Sequence, residues 1–391
     1  MNKAIISEAT QTREEHLQRI ATYLLVNGGF SKNISLNVGK TGISLFMLYY
    51  ARYKQVKMYH SFGEDLLQEV FSTMNFKSGK GFGSGLPGIA WSIEHLLRQD
   101  LIKMSESSLA ILCDIDEAVY AWNYELSWGF SEGVTGHMLY LQNRIGREGY
   151  NLEDLEKIVR YEVYIGMIDR QERIFLTKFN EDSNAVAKFI ADKKYTATEK
   201  NIETCHLAKV ITILARSLQY KIYPVVTMRQ LERMMAAVPP AFAAIKQNAG
   251  GNLHDVFMYF NILVELCIAC LNASKHSGNG SWKEIARQEL LAATEIYMPL
   301  LGAAFKNITY LQKTIFIAQV YKRAYLEMEE PVFEQAYDEI TDHLISLSYA
   351  AIAKENDKCM GITEGVAGIG LVLLSGIDAK TCSWDECLLI S

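Results

Sequence analysis

Four times along this chain a Gly-x-x-Gly pair stands directly ahead of an apolar run with helical spacing, and this repeat restricts the fold more than any other feature. The copies are SLNVGKTGISLFMLYYAR with Gly39 and Gly42, GFGSGLPGIAWSIEHLL with Gly85 and Gly88, GFSEGVTGHMLYLQNRI with Gly133 and Gly136, and GITEGVAGIGLVLLS with Gly365 and Gly368. In the first, Ile43, Phe46, Met47 and Tyr50 fall on one helical face; in the second, Ile89, Ile93 and Leu97 do. The first glycine of each pair suits a tight turn, with a left-handed φ open to it. The second has no Cβ and lets a helix start pack against neighbouring backbone.

Gly39 and Gly85 are 46 residues apart, and Gly85 and Gly133 are 48 apart. That interval holds an inner helix, a loop and an outer helix. Gly133 and Gly365 are 232 residues apart, which leaves room for three degenerate units. NIETCHLAKVITILARSL (201–218), GGNLHDVFMYFNILVELCIACL (250–271) and FKNITYLQKTIFIAQVYKRAYL (305–326) fit that role, each with a polar lead-in and no glycine pair. Amphipathic segments between them carry early acids or N-cap residues and read as outer helices: MYHSFGEDLLQEVFSTM, SESSLAILCDIDEAVYAW, NLEDLEKIVRYEVYIGM, SWKEIARQELLAATEIYM and PVFEQAYDEITDHLISLSYAAIA. The expected fold is all-α: one α/α toroid of about seven helix pairs over 1–391. The charged stretch 146–200 is a surface insertion within it, with GMIDRQERIFLTKF (166–179) as a short hairpin.

Composition supports this. The chain is 49% hydrophobic with 6 prolines, enough apolar surface for an extensive core and few helix breakers. A net charge of −6 argues against a protein that lives on phosphate contacts, so no nucleic-acid partner is expected. Polar residues interrupt the longest apolar runs, as Asn261 and Glu265 do in 256–272, so no membrane span is expected. The opening MNKAIISEATQTREEH lacks an apolar signal core, which points to the cytoplasm. Seven cysteines at irregular spacing do not form a disulfide framework.

The pieces NVGKTGIS, GSGLPGIAWS, SEGVTGHMLYL and TEGVAGIGLVLLS, with the terminal WDECLLIS, resemble the lanthionine synthetase C-like (LanC-like) family, the cyclases of lantibiotic maturation, over nearly the whole chain. The resemblance implies a seven-unit toroid with a central zinc, held by a Cys of the fifth unit and a Cys-His pair of the sixth. It implies a reaction in which zinc turns a peptide cysteine into the thiolate that adds to a dehydrated Ser or Thr. Here the fifth unit reads QNAGGNLHDVF and the sixth FKNITYLQKTI, and all three expected ligands are missing. The family's fourth-unit histidine falls on Cys205 or His206, ambiguous by one position. The fold carries over; the zinc site does not, and no cofactor is expected.

Cys205, His206 and His254 stand at the openings of adjacent units and are the candidate catalytic residues of a non-standard site. Against that stands the plainer reading of a buried thiol and two loop-end histidines. Cys267 and Cys270 lie mid-helix without a partner pair and read as core. His137 follows Gly136 and reads as a polar helix-start group or a cavity acid or base. Glu132 and Glu364 lead into their units as N-terminal acids or as the paired carboxylates of a glycosidase. Gly81, Gly83, Gly85 and Gly88 lack the Lys-Ser/Thr of a phosphate loop.

Three functions follow as expectations. The first is a zinc-free toroid binding a precursor peptide, or a partner such as a dehydratase or other modifying enzyme. The second is a thioether-forming peptide cyclase with a non-standard site. The third is a helical-toroid glycosidase.

Overall fold

Each Gly-x-x-Gly copy opens a helix in the computed structural model, which describes residues 2–75, 77–104, 106–122, 127–148, 155–353 and 357–391. Sixteen α-helices run through the described residues, with no strand beyond an isolated bridge between Ser127 and Gly133. They are α1 Asn2–Asn27, α2 Lys40–Lys54, α3 Lys57–Thr73, α4 Leu86–Arg98, α5 Glu106–Trp122, α6 Val134–Glu148, α7 Leu155–Phe179 and α8 Ala185–Ala191. There follow α9 Ala197–Gln219, α10 Pro224–Ala236, α11 Val238–Asn248, α12 Leu253–Ser277, α13 Gly280–Phe305, α14 Leu311–Met328, α15 Pro331–Ala353 and α16 Val366–Ile377. The chain divides into two compact units. One is 1–115, 305–323 and 334–387; the other is 116–304, 324–333 and 388–391.

In the first unit the loops that lead into α2, α4 and α16 are bonded to one another. Asn37 N donates to Gly83 O at 3.0 Å, and Asn37 O accepts from Ile362 N at 2.8 Å and Thr363 N at 3.1 Å. Backbone approaches so closely here that side chains do not fit. A Cβ on Gly42 would lie 2.2 Å from Leu36 O, on Gly88 1.8 Å from Phe82 O, and on Gly368 1.7 Å from Ile362 O. The leading glycines behave the same way: a Cβ on Gly39 meets Asn33 O at 2.4 Å, and one on Gly85 meets Gly79 O at 2.2 Å. Their φ values, −117° and −133°, are not left-handed. The left-handed φ open to these glycines is not adopted, and both glycines of a pair are required by crowding.

A turn over Ala379–Leu388 then locks this unit with polar groups. Tyr49 OH bonds His95 Nε2 at 2.7 Å and Ser383 Oγ at 2.8 Å; His95 Nδ1 faces Glu386 at 3.3 Å, and Arg98 donates to the same carboxylate. Arg323 donates to Asp385 three times, at 2.8, 2.9 and 3.1 Å, and Gln319 adds a fourth bond at 3.1 Å. His95 is fully buried and stacked on Trp91. Burial pushes its pKa down despite the neighbouring Glu386.

The second unit is built on α9, which packs against α6, α7, α10 and α12. In α7, Tyr164, Met167, Ile168, Phe175 and Phe179 are buried at helical spacing. Each contributes on the order of 1.5–3 kcal/mol of apolar burial. The short hairpin expected over 166–179 is corrected: those residues lie inside α7, because the buried positions keep a helical period through to Phe179. Asp116, Arg144 and Arg160 are buried together. Asp116 Oδ2 accepts from Arg144 at 3.0 Å and Arg160 at 2.8 Å, and Oδ1 accepts from Tyr140 OH at 2.7 Å. One described helix, α12, is long and apolar enough by composition to cross a membrane, and every residue of its apolar window is buried inside the structure.

Candidate functional site

The chemistry-bearing residues of the second unit gather along the α9–α12 pair. α9 is started by a capping box: Thr196 Oγ1 accepts from Glu199 N at 3.2 Å, and Glu199 Oε2 accepts from Thr196 N at 2.7 Å. α12 is started by Asn252, whose side chain accepts from Asp255 N at 3.0 Å. Both helices then run through apolar core, yet polar residues recur on their facing sides every fourth or seventh position. Asn201, Cys205, Lys209 and Arg216 lie on α9; Asn261, Glu265 and Asn272 lie on α12.

These residues pair in order along the two helices. His254 Nε2 bonds Thr198 Oγ1 at 2.9 Å, and Asn201 donates to Met258 O at 3.1 Å. Asn261 Nδ2 donates to Cys205 Sγ at 3.4 Å, and Lys209 Nζ lies 3.0 Å from Glu265 Oε2. The last rungs hold the final residues of the sequence. Lys209 donates to Leu388 O at 2.6 Å, Asn272 to Ile390 O at 2.9 Å, and Arg216 to Ser391 O. Leu389 and Ile390 are buried between these bonds. Taking so many polar groups out of water is costly unless they are bonded, and the rungs bond most of them; Asn261 Oδ1 has no hydrogen-bond partner among the described residues.

The three residues singled out from the sequence sit at different places on this seam. Cys205 is half-buried and receives the Asn261 amide hydrogen. His206 is half-buried on a different side of α9, with Nε2 3.3 Å from where a Cβ on Gly129 would stand. Burial pushes its pKa down, opposed by Glu203 and assisted by Lys178. His254 is exposed and bonded to Thr198, seven residues before Cys205, which is roughly 10 Å along the helix axis. Cys205 and His206 are thus brought together by sequence, and His254 is anchored elsewhere.

A catalytic zinc takes three protein ligands and an open position. Among the described residues no group of three or more His, Cys, Asp or Glu side chains is arranged to hold a metal ion. The donors present do not fit the zinc site that the family resemblance implies. Cys267 and Cys270 do not substitute: both are fully buried, and desolvation pushes both thiols up, away from the thiolate. His137 is buried at the start of α6, 6.4 Å between ring centroids from Trp122. Glu132 and Glu364 are each exposed on their lead-in loops.

The polar seam and its hold on the terminal residues were not anticipated. The signal was present as polar residues at helical spacing inside otherwise apolar runs. Nothing local in the sequence, however, says which helix or tail they face.

The far end of the seam makes the protein acid-sensitive. His276, in the last turn of α12, has its pKa pushed down to about 4 by burial, with Arg216 and Lys275 adding to the effect and Glu327 opposing it. The folded state therefore resists a proton that the unfolded chain accepts near 6.5. Its contribution to stability is complete above pH 6.5 and is lost as pH falls toward 4. His95 and His206, lowered for the same first reason, act with the same sign. Unfolding midpoints measured across this window should drop on acidification, and His276→Gln should make the drop shallower. A midpoint unmoved between pH 6.5 and 4 would contradict the assignment.

No protein-family profile matches the chain, and neither does any curated protein. Solved structures do match. A nisin cyclase superposes with a TM-score of 0.60 over 99% of this chain and 98% of its own, at 15% sequence identity. The all-α toroid expected from the glycine repeats is therefore the fold of this chain.

Proposed function

We propose that this chain is a lanthionine synthetase C-like protein of modified-peptide biosynthesis that works without zinc. In this role it is a toroid that binds a precursor peptide, or an enzyme that modifies that peptide, in the cytoplasm. The nisin cyclase fold supports the peptide context. The observation that carries the zinc-free part is the engagement of the donors. Cys205 is tied to Asn261, His254 is tied to Thr198 at another level, and among the described residues no third ligand joins Cys205 and His206. Fold outlasts activity, so the site's own residues decide.

The test uses protein purified without chelators. Metal analysis should find zinc well below one equivalent. A dehydrated, cysteine-containing precursor peptide should bind, as read by fluorescence anisotropy. Its free thiol should persist on incubation, as read by alkylation and mass spectrometry. Zinc near one equivalent, or thiol loss that disappears in Cys205→Ala or His206→Ala, would instead establish a cyclase with a non-standard site.

A further inference from the structure

The stretch from α7 to the first turns of α9 carries two cavities, of about 520 Å³ and about 330 Å³. The larger is lined along one face of α7 by Arg170, Arg173, Ile174, Thr177 and Lys178. The smaller is lined by Phe179, Phe189, Tyr195 and Ile202, with Glu199 and Glu203 beside them. Lys178 lines both, and its 2.7 Å ion pair with Glu203 ties α7 to α9 where the two cavities adjoin.

The lining therefore changes character along its length. Two guanidiniums and an ammonium lie at one end, within a chain whose net charge is −6. Aromatic rings follow: Trp128, Phe179, Phe189 and Tyr195 contact in sequence, at centroid distances of 6.2, 6.0 and 4.8 Å. Ile202, 47% exposed, adds an apolar surface left open to solvent. Glu199 supplies a carboxylate at the far end, while Glu203 stays paired with Lys178 at the junction. Desolvation pushes the pKa of Arg170 down, and the like charge of Arg173 adds to the effect. An anion placed between the two relieves that repulsion.

We infer that this groove holds a peptide segment in which acidic residues precede an aromatic or large aliphatic side chain, followed by a basic group. This rests on the peptide-binding reading above and supplies its recognition chemistry. Arg170 to Lys178 spans about 12 Å of helix, the reach of about four residues of extended peptide. Acidic side chains meet Arg170 and Arg173, the apolar side chain packs against the Phe189–Tyr195 pair and Ile202, and the basic group reaches Glu199. A phosphate chain following the same course would run from the arginines into the Glu199 carboxylate, which disfavours nucleic acid. Ile202 and Glu203 lie one turn before His206, so the held segment passes beside the Cys205–His206 pair.

The probe is a short fluorescein-labelled peptide with an acidic run, then phenylalanine and leucine, then lysine, titrated with the full chain and read by anisotropy. Binding should weaken as salt rises. It should fall by about tenfold or more in the Arg170→Glu/Arg173→Glu double variant and in Phe189→Ala. Circular dichroism checks that each variant stays folded. The inference is overturned if the double variant binds the probe as tightly as the parent, if a charge-reversed peptide binds equally, or if a single-stranded oligonucleotide displaces the probe more readily than unlabelled peptide does. The dehydrated precursor separates this inference from the broader reading. If the precursor is held equally by parent and double variant, the groove assignment fails and the peptide-binding function stands. If the precursor is not held by either protein while the probe shows the stated dependence, the groove stands and the function fails.

Discussion

Gly368→Ala is expected to cost at least about 3 kcal/mol of folding stability, although it adds a single methyl group. The added carbon would lie 1.7 Å from Ile362 O, far inside any permissible contact, and a tight 3.1 Å from Ile315 Cδ1. The neighbour that must yield is backbone, and it is fixed. Ile362 N and Thr363 N are bonded to Asn37 O, and Asn37 N is bonded to Gly83 O. Relief at one loop therefore strains the openings of α2 and α4 as well. Gly88→Ala, whose carbon would lie 1.8 Å from Phe82 O, should behave alike. Gly166→Ala in α7 is the control: nothing lies within 4 Å of the new carbon, and alanine should stabilise the helix by up to about 1 kcal/mol. Urea unfolding of the three variants decides the matter. Equal stability of Gly368→Ala and the parent would mean the loops do not crowd as described.

Asp116→Ala is expected to have an effect of similar size for an electrostatic reason. Arg144 and Arg160 are both buried, and Asp116 is the carboxylate both guanidiniums share. Removing the anion leaves two cations out of water and takes the acceptor from Tyr140 OH. Breaking such a group on one side costs about 3–5 kcal/mol. Replacing all three, as Asp116→Leu with Arg144→Met and Arg160→Met, should recover most of that loss, because the buried anion and both buried cations are then removed together. Loss of less than about 1 kcal/mol in the single variant would show that the cluster is solvated well enough to stand without its anion.

Where the sequence was informative, it spoke through spacing. α2, α4, α6 and α16 begin at their glycine pairs, and α9, α12 and α14 follow the three units that had lost them, because a long apolar period needs no glycine to be read as helix. α7 was misjudged over 166–179, where charged residues face outward and mask the buried series from Tyr164 to Phe179. The reason for the leading glycines was also misjudged. A residue's φ is local, but a clash with Asn33 O or Gly79 O belongs to the folded loop.

The candidate site was legible only in part. Cys205, His206 and His254 were recognisable as reactive types near helix openings. Their partners Asn261 and Thr198 lie 56 residues away in each case, and that pairing depends on which helices become neighbours. The same holds for Glu386 against His95, and for the carbonyls of Leu388 to Ser391 against Lys209, Asn272 and Arg216. Long-range polar pairing has no period, so it leaves no trace in a single chain.

What the crowded helix openings demand is a lack of atoms, and a lack is cheap to preserve. Two positions at each such opening must offer nothing beyond the α-carbon, while many of the apolar positions around them are asked only to be greasy on one side. Such a scaffold lets its reactive groups drift, vanish or be replaced without its architecture noticing. Lineages built on it are therefore free to trade one chemistry for another, or for none, while their outlines stay superposable.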